Sequence, residues 1–332
     1  MMLIKHTCFD NREMHFKPIV LILCVLLVAC SPVIAQETKD RKADKQRVDA
    51  KDLPICDRKL TYKTVEGKSF QLHLFEAGPN ATGTDLPSND NRPAIVFFFG
   101  GGWNSGDPKQ FYSQCRALAD LGMVAMSAEY RVASRDQSKV IDCISDAQDA
   151  IAFVRNHAAE LKIDPNRIAA GGGSAGGHLA AAVATLDYRG TQTGRSKADY
   201  RPNALVLFNP ALILAPTGSK LDRDVERIGN LAERIGDKPE SASPFHHLSK
   251  DLPPTIIFHG KSDTTVPYST VELFQDKATM LGCDCRLLGY EGEGHGFFNQ
   301  GRPKYFETRD AMIAFLSELN YCTSVYSPSV KK

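Results

Sequence analysis

From Pro93 onward, short apolar runs alternate with helical patterns, and no other feature of the chain limits its fold as tightly. The apolar runs are AIVFFF, MVAMSA, RIAAGG, ALVLFN, PTIIFHG and CRLLGY. The helical patterns cover Gln110 to Leu121, Ile141 to Leu161, Ala175 to Leu186, Leu221 to Ile235, Tyr268 to Leu281 and Tyr305 to Leu319. Strands that are apolar throughout, without polar alternation, belong to a parallel sheet covered on both faces. Strict alternation of strand and helix predicts one α/β domain built on one mostly parallel sheet, not two domains. In such sheets the chemistry collects beyond the carboxyl ends of the strands, so the residues that follow each run are the informative ones. Upstream, KLTYKTVEGKSFQLHLFEA reads as two strands joined at Glu66-Gly67.

The run RIAAGG leads into Gly172-Gly173-Ser174-Ala175-Gly176, a G-x-S-x-G pattern followed by an alanine-rich helical segment. A sharp strand-to-helix turn would force Ser174 into a strained backbone and lift its Oγ into the open, while the next helix aims its first amides at whatever Oγ attacks. The competing reading is a glycine-rich turn without chemistry; a phosphate-binding loop is disfavoured because no Walker-type lysine follows. A serine hydroxyl needs a base to take its proton and an acid to orient that base.

Both partners are expected downstream, each after a strand. His178 lies one helical turn past Ser174 and reads as a packed side chain. His246 and His247 sit in a loop with no strand before them, and His259 ends a strand as a local structural residue. His295 follows CRLLGY directly and is flanked by glycines, which makes it the expected base. Asp263, in HGKSDTTVP after the preceding strand, is the expected acid. Glu291 and Glu293 share the short loop of His295 and are poorly placed to reach its far ring nitrogen, with Glu293 the second choice.

Acyl transfer also needs amides to hold the oxyanion. The Ala175 amide comes with the turn, and the glycines after AIVFFF, Gly101 and Gly102, are the expected partners. Trp103 and Asn104, just past them, are expected to line the acyl or alcohol pocket. No metal or organic cofactor is called for; the Cys283-x-Cys285 pair lacks the second pair or spaced histidine of a zinc site.

Together, GGSAGGHLAAA, FFGGGW, HGKSDTTVP and GEGHGF resemble the hormone-sensitive-lipase-like branch of the α/β-hydrolases, close to bacterial carbohydrate-type acetyl esterases and feruloyl-esterase-like proteins. The resemblance runs from about Leu60 to Leu319. It implies an α/β-hydrolase fold and a serine esterase acting through Ser174, His295 and Asp263. It also implies a disulfide between Cys115 and Cys143. One position departs from the pattern: the histidine that precedes the glycines in the family is Phe99 here, expected to pack against the core.

At 332 residues, 40 Lys plus Arg face 39 Asp plus Glu, so charge gives no reason to expect nucleic acid or an anionic membrane surface as partner. Lys17 and the apolar run Ile19 to Ala29 read as an export signal over residues 1–35. Met14 would be its more regular start. Cleavage after Ala35 competes with lipidation at Cys30 in the LVAC segment. Residues 36–55 read as a disordered polar tether, 56–322 as the catalytic domain and 323–332 as a flexible tail. Export makes disulfides among the six later cysteines plausible, and 15 connectivities are open.

The expected function is an exported serine carboxylesterase of short acyl groups such as acetate, borne on small molecules or carbohydrates. A prolyl-oligopeptidase-like peptidase and a non-catalytic binding protein of the same fold are the alternatives.

Overall fold

The hairpin expected about Glu66-Gly67 supplies β1 (Arg58–Val65) and β2 (Lys68–Phe75). The six apolar runs supply β3 (Arg92–Phe98), β4 (Val124–Ala128), β5 (Ile163–Gly173), β6 (Ala204–Phe208), β7 (Thr255–Gly260) and β8 (Cys285–Tyr290). The computed structural model describes residues 53–76, 91–190, 196–220, 222 and 231–323, all within the unit Lys45–Lys332. The eight strands form one sheet in the order β1-β2-β4-β3-β5-β6-β7-β8. The hairpin joins its edge antiparallel, and every pairing from β4 to β8 is parallel.

Because side chains alternate along a strand, β3 divides the core. Ala94, Val96 and Phe98 point to one face, Ile95 and Phe97 to the other. The main helices are α1 (Tyr112–Ala119), α2 (Val140–Asn156), α3 (Ala175–Thr185), α4 (Leu231–Ile235), α5 (Tyr268–Met280) and α6 (Tyr305–Glu318). Residues of α2, α3 and α5 pack with Val96 and Phe98; those of α1 and α6 pack with Ile95 and Phe97. The result is the expected α/β-hydrolase arrangement of one sheet between two helical layers. The helix expected over Ile141 to Leu161 stops at Asn156, and a separate turn, Ala158–Leu161, follows.

The expected disulfide is overturned. Cys115 packs on the Phe97 face and Cys143 on the Phe98 face, so the sheet lies between them, and both are buried free thiols. The other four described cysteines, Cys56, Cys283, Cys285 and Cys322, are free as well. The export signal, Met14, Cys30, the tether up to Asp52 and the tail beyond Thr323 lie outside the described residues, as does most of the helix expected over Leu221 to Ile235. Among the described residues no helix is long and apolar enough to cross a membrane.

Candidate active site

Ser174 is the single residue between the end of β5 and the start of α3, and its backbone sits at φ 53, ψ −119. Such a conformation costs a residue with a Cβ about 1–3 kcal/mol and persists only where the surroundings impose it. Here they do. The Ser174 amide donates to the Phe208 carbonyl on β6 at 2.8 Å, and the His178 amide donates to the Ser174 carbonyl at 2.9 Å. A Cβ on Gly176 would collide with the Phe98 carbonyl, so only glycine lets α3 pass that close to β3.

His295, in the loop after β8, reaches Ser174 from one side and Asp263 from the other. Its Nε2 lies 2.9 Å from Ser174 Oγ, and its Nδ1 lies 2.7 Å from Asp263 Oδ2. An ionised carboxylate only accepts, so Nδ1 carries the proton and Nε2 is free to accept from the serine hydroxyl. Burial pushes the Asp263 pKa up. Hydrogen bonds from His259 and His295, the attraction of His295 and the Val266 amide outweigh it and hold the carboxyl well below the usual range. Oδ1 accepts from the Thr265 and Val266 amides at 2.8 and 2.9 Å, and Oδ2 also accepts from Asn209 Nδ2 at 2.8 Å. Asn209 directly follows β6, at the same end of the sheet, with a left-handed φ of 43.

The other candidates are engaged elsewhere. Glu291 pairs with Lys261 at 2.6 Å, and Glu293 contributes its carbonyl to the Ser262 amide. His246 and His247 bond the Pro216 and Glu240 carbonyls. His259 Nε2–H donates to the Val266 carbonyl at 2.8 Å, behind Asp263. His178 is fully buried; its Nε2–H donates to the Ala242 carbonyl at 2.7 Å and its Nδ1 accepts from Trp103 Nε1–H at 3.1 Å. Burial, only partly countered by the Ala242 carbonyl, pulls its pKa down to about 4, so it is neutral near pH 7.

The second glycine run turns across the top of Ser174. Gly101, Gly102 and Trp103 take φ values of 127, 61 and 57 in succession, and a Cβ on Gly101 would strike the Ser105 carbonyl. Among the described residues the amides of Gly101, Gly102 and Ala175 have no hydrogen-bond acceptor. The loop is braced without the family's histidine. Phe99 is 1% exposed, stacks on Tyr130 with centroids 4.1 Å apart, and its carbonyl accepts the Tyr130 hydroxyl at 2.7 Å. The Gly100 amide donates to Gln110 Oε1 at 2.6 Å, while Gln110 Nε2–H donates to Asn299 Oδ1 at 3.0 Å.

A cavity of about 220 Å³ opens over Ser174, walled by Gly102, Trp103, Ala211, Arg234 and the Thr264-Thr265-Val266 turn. Trp103 borders this cavity. Asn104 is exposed and is not among the described residues that border it; its carbonyl accepts the Ser134 amide. Reading strand ends singled out Ser174, Asp263 and His295, and the same rule reaches Asn209. Arg234 lies inside a segment read only as helix, and nothing in its neighbourhood marked it. Among the described residues no group of three or more His, Cys, Asp or Glu side chains is placed to hold a metal ion.

The family model named BD-FAE matches residues 85–278, more than half of the chain. The chain belongs to the BD-FAE family. This BD-FAE protein resembles carboxylic ester hydrolases. It is 31% identical over 250 residues to the probable carboxylic ester hydrolase LipM of Mycobacterium tuberculosis, covering 71% of this chain and 56% of that one. It is 26% identical over 275 residues to an acetylxylan esterase of Xylanibacter ruminicola, covering 81% and 53%. The BD-FAE chain thus spans about half the length of these curated relatives. The solved structure of Thermogutta terrifontis esterase 2 matches with a TM-score of 0.73 and 43% identity, over 82% of this chain and 97% of that one. That esterase has also been solved with propionate and with butyrate bound.

Proposed function

We propose that the chain is a serine carboxylic ester hydrolase acting on short acyl esters through an acyl-enzyme. The observation that carries the reading is the hydrogen-bonded line from Ser174 Oγ through His295 to Asp263, with a strained serine at its head. In the proposed reaction Ser174 Oγ attacks the ester carbonyl as His295 Nε2 takes its proton. Asp263, held ionised, keeps the tautomer and stabilises the imidazolium. The amides of Gly101, Gly102 and Ala175 receive the negative charge on the carbonyl oxygen, a contribution of about 3–4 kcal/mol per donor in a well-studied case. His295 returns the proton to the leaving alkoxide, and water then repeats the sequence to release the acid.

The cavity of about 220 Å³ supports a small acyl group; pockets for drug-sized ligands occupy ~300–1,000 Å³. The acetylxylan esterase relative and the propionate and butyrate complexes of the Thermogutta esterase support the same size class. Acetyl groups on carbohydrates are the proposed natural form. The apolar run Ile19 to Ala29 supports export, with cleavage after Ala35 or lipidation at Cys30. Intact mass of the mature protein separates the two, an N-terminal Gln36 being expected.

p-Nitrophenyl esters of increasing chain length test the activity. Turnover should peak at acetate to butyrate, fall for long chains and vanish in Ser174→Ala. An inert wild type would remove the esterase reading, and activity surviving in Ser174→Ala would remove Ser174 as nucleophile.

A further inference from the structure

One wall of the cavity over Ser174 is a cation that, among the described residues, has no counter-charge. Arg234 is half-buried, stacks its guanidinium 5.6 Å from the Trp103 ring centroid, and donates one N–H to the Gly102 carbonyl. Arg131, Arg167, Arg189 and Arg286 each pair with a carboxylate, whereas among the described residues Arg234 pairs with none. A guanidinium has five donors in a planar fork, so among the described residues most of its hydrogen-bonding capacity is open. Across the cavity, Thr264 and Thr265 are exposed, and among the described residues their hydroxyls have no partner. Among the described residues no acidic side chain lines the cavity. The Asp263 carboxylate lies behind the same turn, buried and occupied by Asn209, His295, Thr265 and Val266.

We propose that the site selects esters that carry a carboxylate close to the scissile bond, with the anion docked on the Arg234 fork and the Thr264 and Thr265 hydroxyls. The proposal rests on the esterase reading above and deepens it. The chemistry fits on three counts. The fork matches a carboxylate in plane and spacing. Stacking on Trp103 holds that plane before substrate arrives, so little side-chain freedom is lost on binding. The bond to Gly102 ties the anion's dock to the loop whose amides face Ser174, so a docked carboxylate fixes the ester carbonyl relative to those amides. The carboxylate can belong to the alcohol half, as in an acetylated uronate sugar, or to the acyl half, as in a half-ester of a short dicarboxylic acid.

Two matched pairs separate these sources. O-acetyl galacturonic acid is compared with its methyl ester by acetate release, and monomethyl succinate with methyl butyrate by methanol release. In at least one pair, kcat/KM should favour the charged member by roughly tenfold, mostly through KM, with the ratio shrinking as salt screens the attraction. The pair that shows it identifies the half that carries the anion. Arg234→Gln should bring that ratio to about one, and Arg234→Lys should keep part of it. Because each ratio is taken within one variant, any disturbance of the Gly102 loop cancels. Ratios of one or below in both pairs for the wild type would overturn the proposal, as would a ratio that survives Arg234→Gln. Failure of the underlying esterase reading looks different: neutral and charged members, and p-nitrophenyl acetate, would all be inert, and the proposal would fall with it.

Discussion

Asn209 donates its side-chain N–H to Oδ2 of Asp263 at 2.8 Å, the same oxygen that lies 2.7 Å from His295 Nδ1. Asn209 is fully buried, follows β6, and takes a left-handed backbone with φ 43. Asparagine is among the few residues that tolerate that conformation. Its amide locks one oxygen of Asp263 while two backbone amides lock the other, so the carboxylate has a single orientation toward His295.

Asn209→Gly keeps the left-handed backbone and removes the donor. We expect kcat to fall roughly tenfold with KM nearly unchanged, a size that matches loss of one hydrogen bond to a charged group. Asn209→Asp should be worse, because a second carboxylate against Asp263 raises the pKa of the pair and weakens the partner of His295. Rates on p-nitrophenyl acetate across pH check both. Wild-type kcat in Asn209→Asp would show that Asn209 positions nothing.

The fold was legible because parallel strands buried on both faces leave a plain mark in sequence. Each expected apolar run became a strand, and the Glu66-Gly67 hairpin added the two antiparallel ones. Ser174, Asp263 and His295 were legible for a related reason: each follows a strand, and neighbouring parallel strands bring such residues together. What sequence could not show were contacts between residues far apart in the chain. Gln110 and Asn299 are separated by 189 positions. Arg234 meets Trp103 only through tertiary packing. Cys115 and Cys143 flank the same strand in sequence, yet which face each helix covers depends on the crossover, and they lie on opposite faces.

Gln110 links two loops at the site. Gly100 N–H donates to its Oε1, its Nε2–H donates to Asn299, and Asn299 Nδ2–H donates to the Gly296 carbonyl next to His295. Gln110→Glu keeps the acceptor for Gly100 but loses the donor to Asn299. The expected result is several-fold lower kcat with little change in melting temperature, since only a half-buried bond is lost. An unchanged kcat, measured beside a thermal melt, would make the strap purely structural.

Tyr130 stands in for the missing histidine as the brace of the glycine loop, through its ring on Phe99 and its hydroxyl on the Phe99 carbonyl at 2.7 Å. Tyr130→Phe keeps the ring and leaves a buried carbonyl without its donor. We expect a loss of about 1–3 kcal/mol in stability, read from the midpoint of urea unfolding. A shift smaller than the error of that midpoint would move the brace to the ring stack alone.

His178 makes stability depend on pH in a stated direction. Buried beneath Trp103, it stays neutral in the folded protein until the pH reaches about 4, whereas in the unfolded chain it takes up a proton below ~6.5. Between those values the unfolded chain binds more protons, so stability rises with pH and is lost as pH falls. A shift of that size is worth about 3 kcal/mol over the window. The stability that the Asp263 carboxyl gives, held well below its usual range, is fully present above the unfolded value of ~3.9 and is lost only as pH falls below it, beneath the same window. His178→Asn removes the titrating ring and with it the bonds to Trp103 and Ala242. The variant should therefore be less stable at pH 7 but change less between pH 7 and pH 4.5 than the wild type. Urea midpoints of both proteins at the two pH values decide it: equal slopes would place the pH dependence on other groups and leave His178 only its packing role.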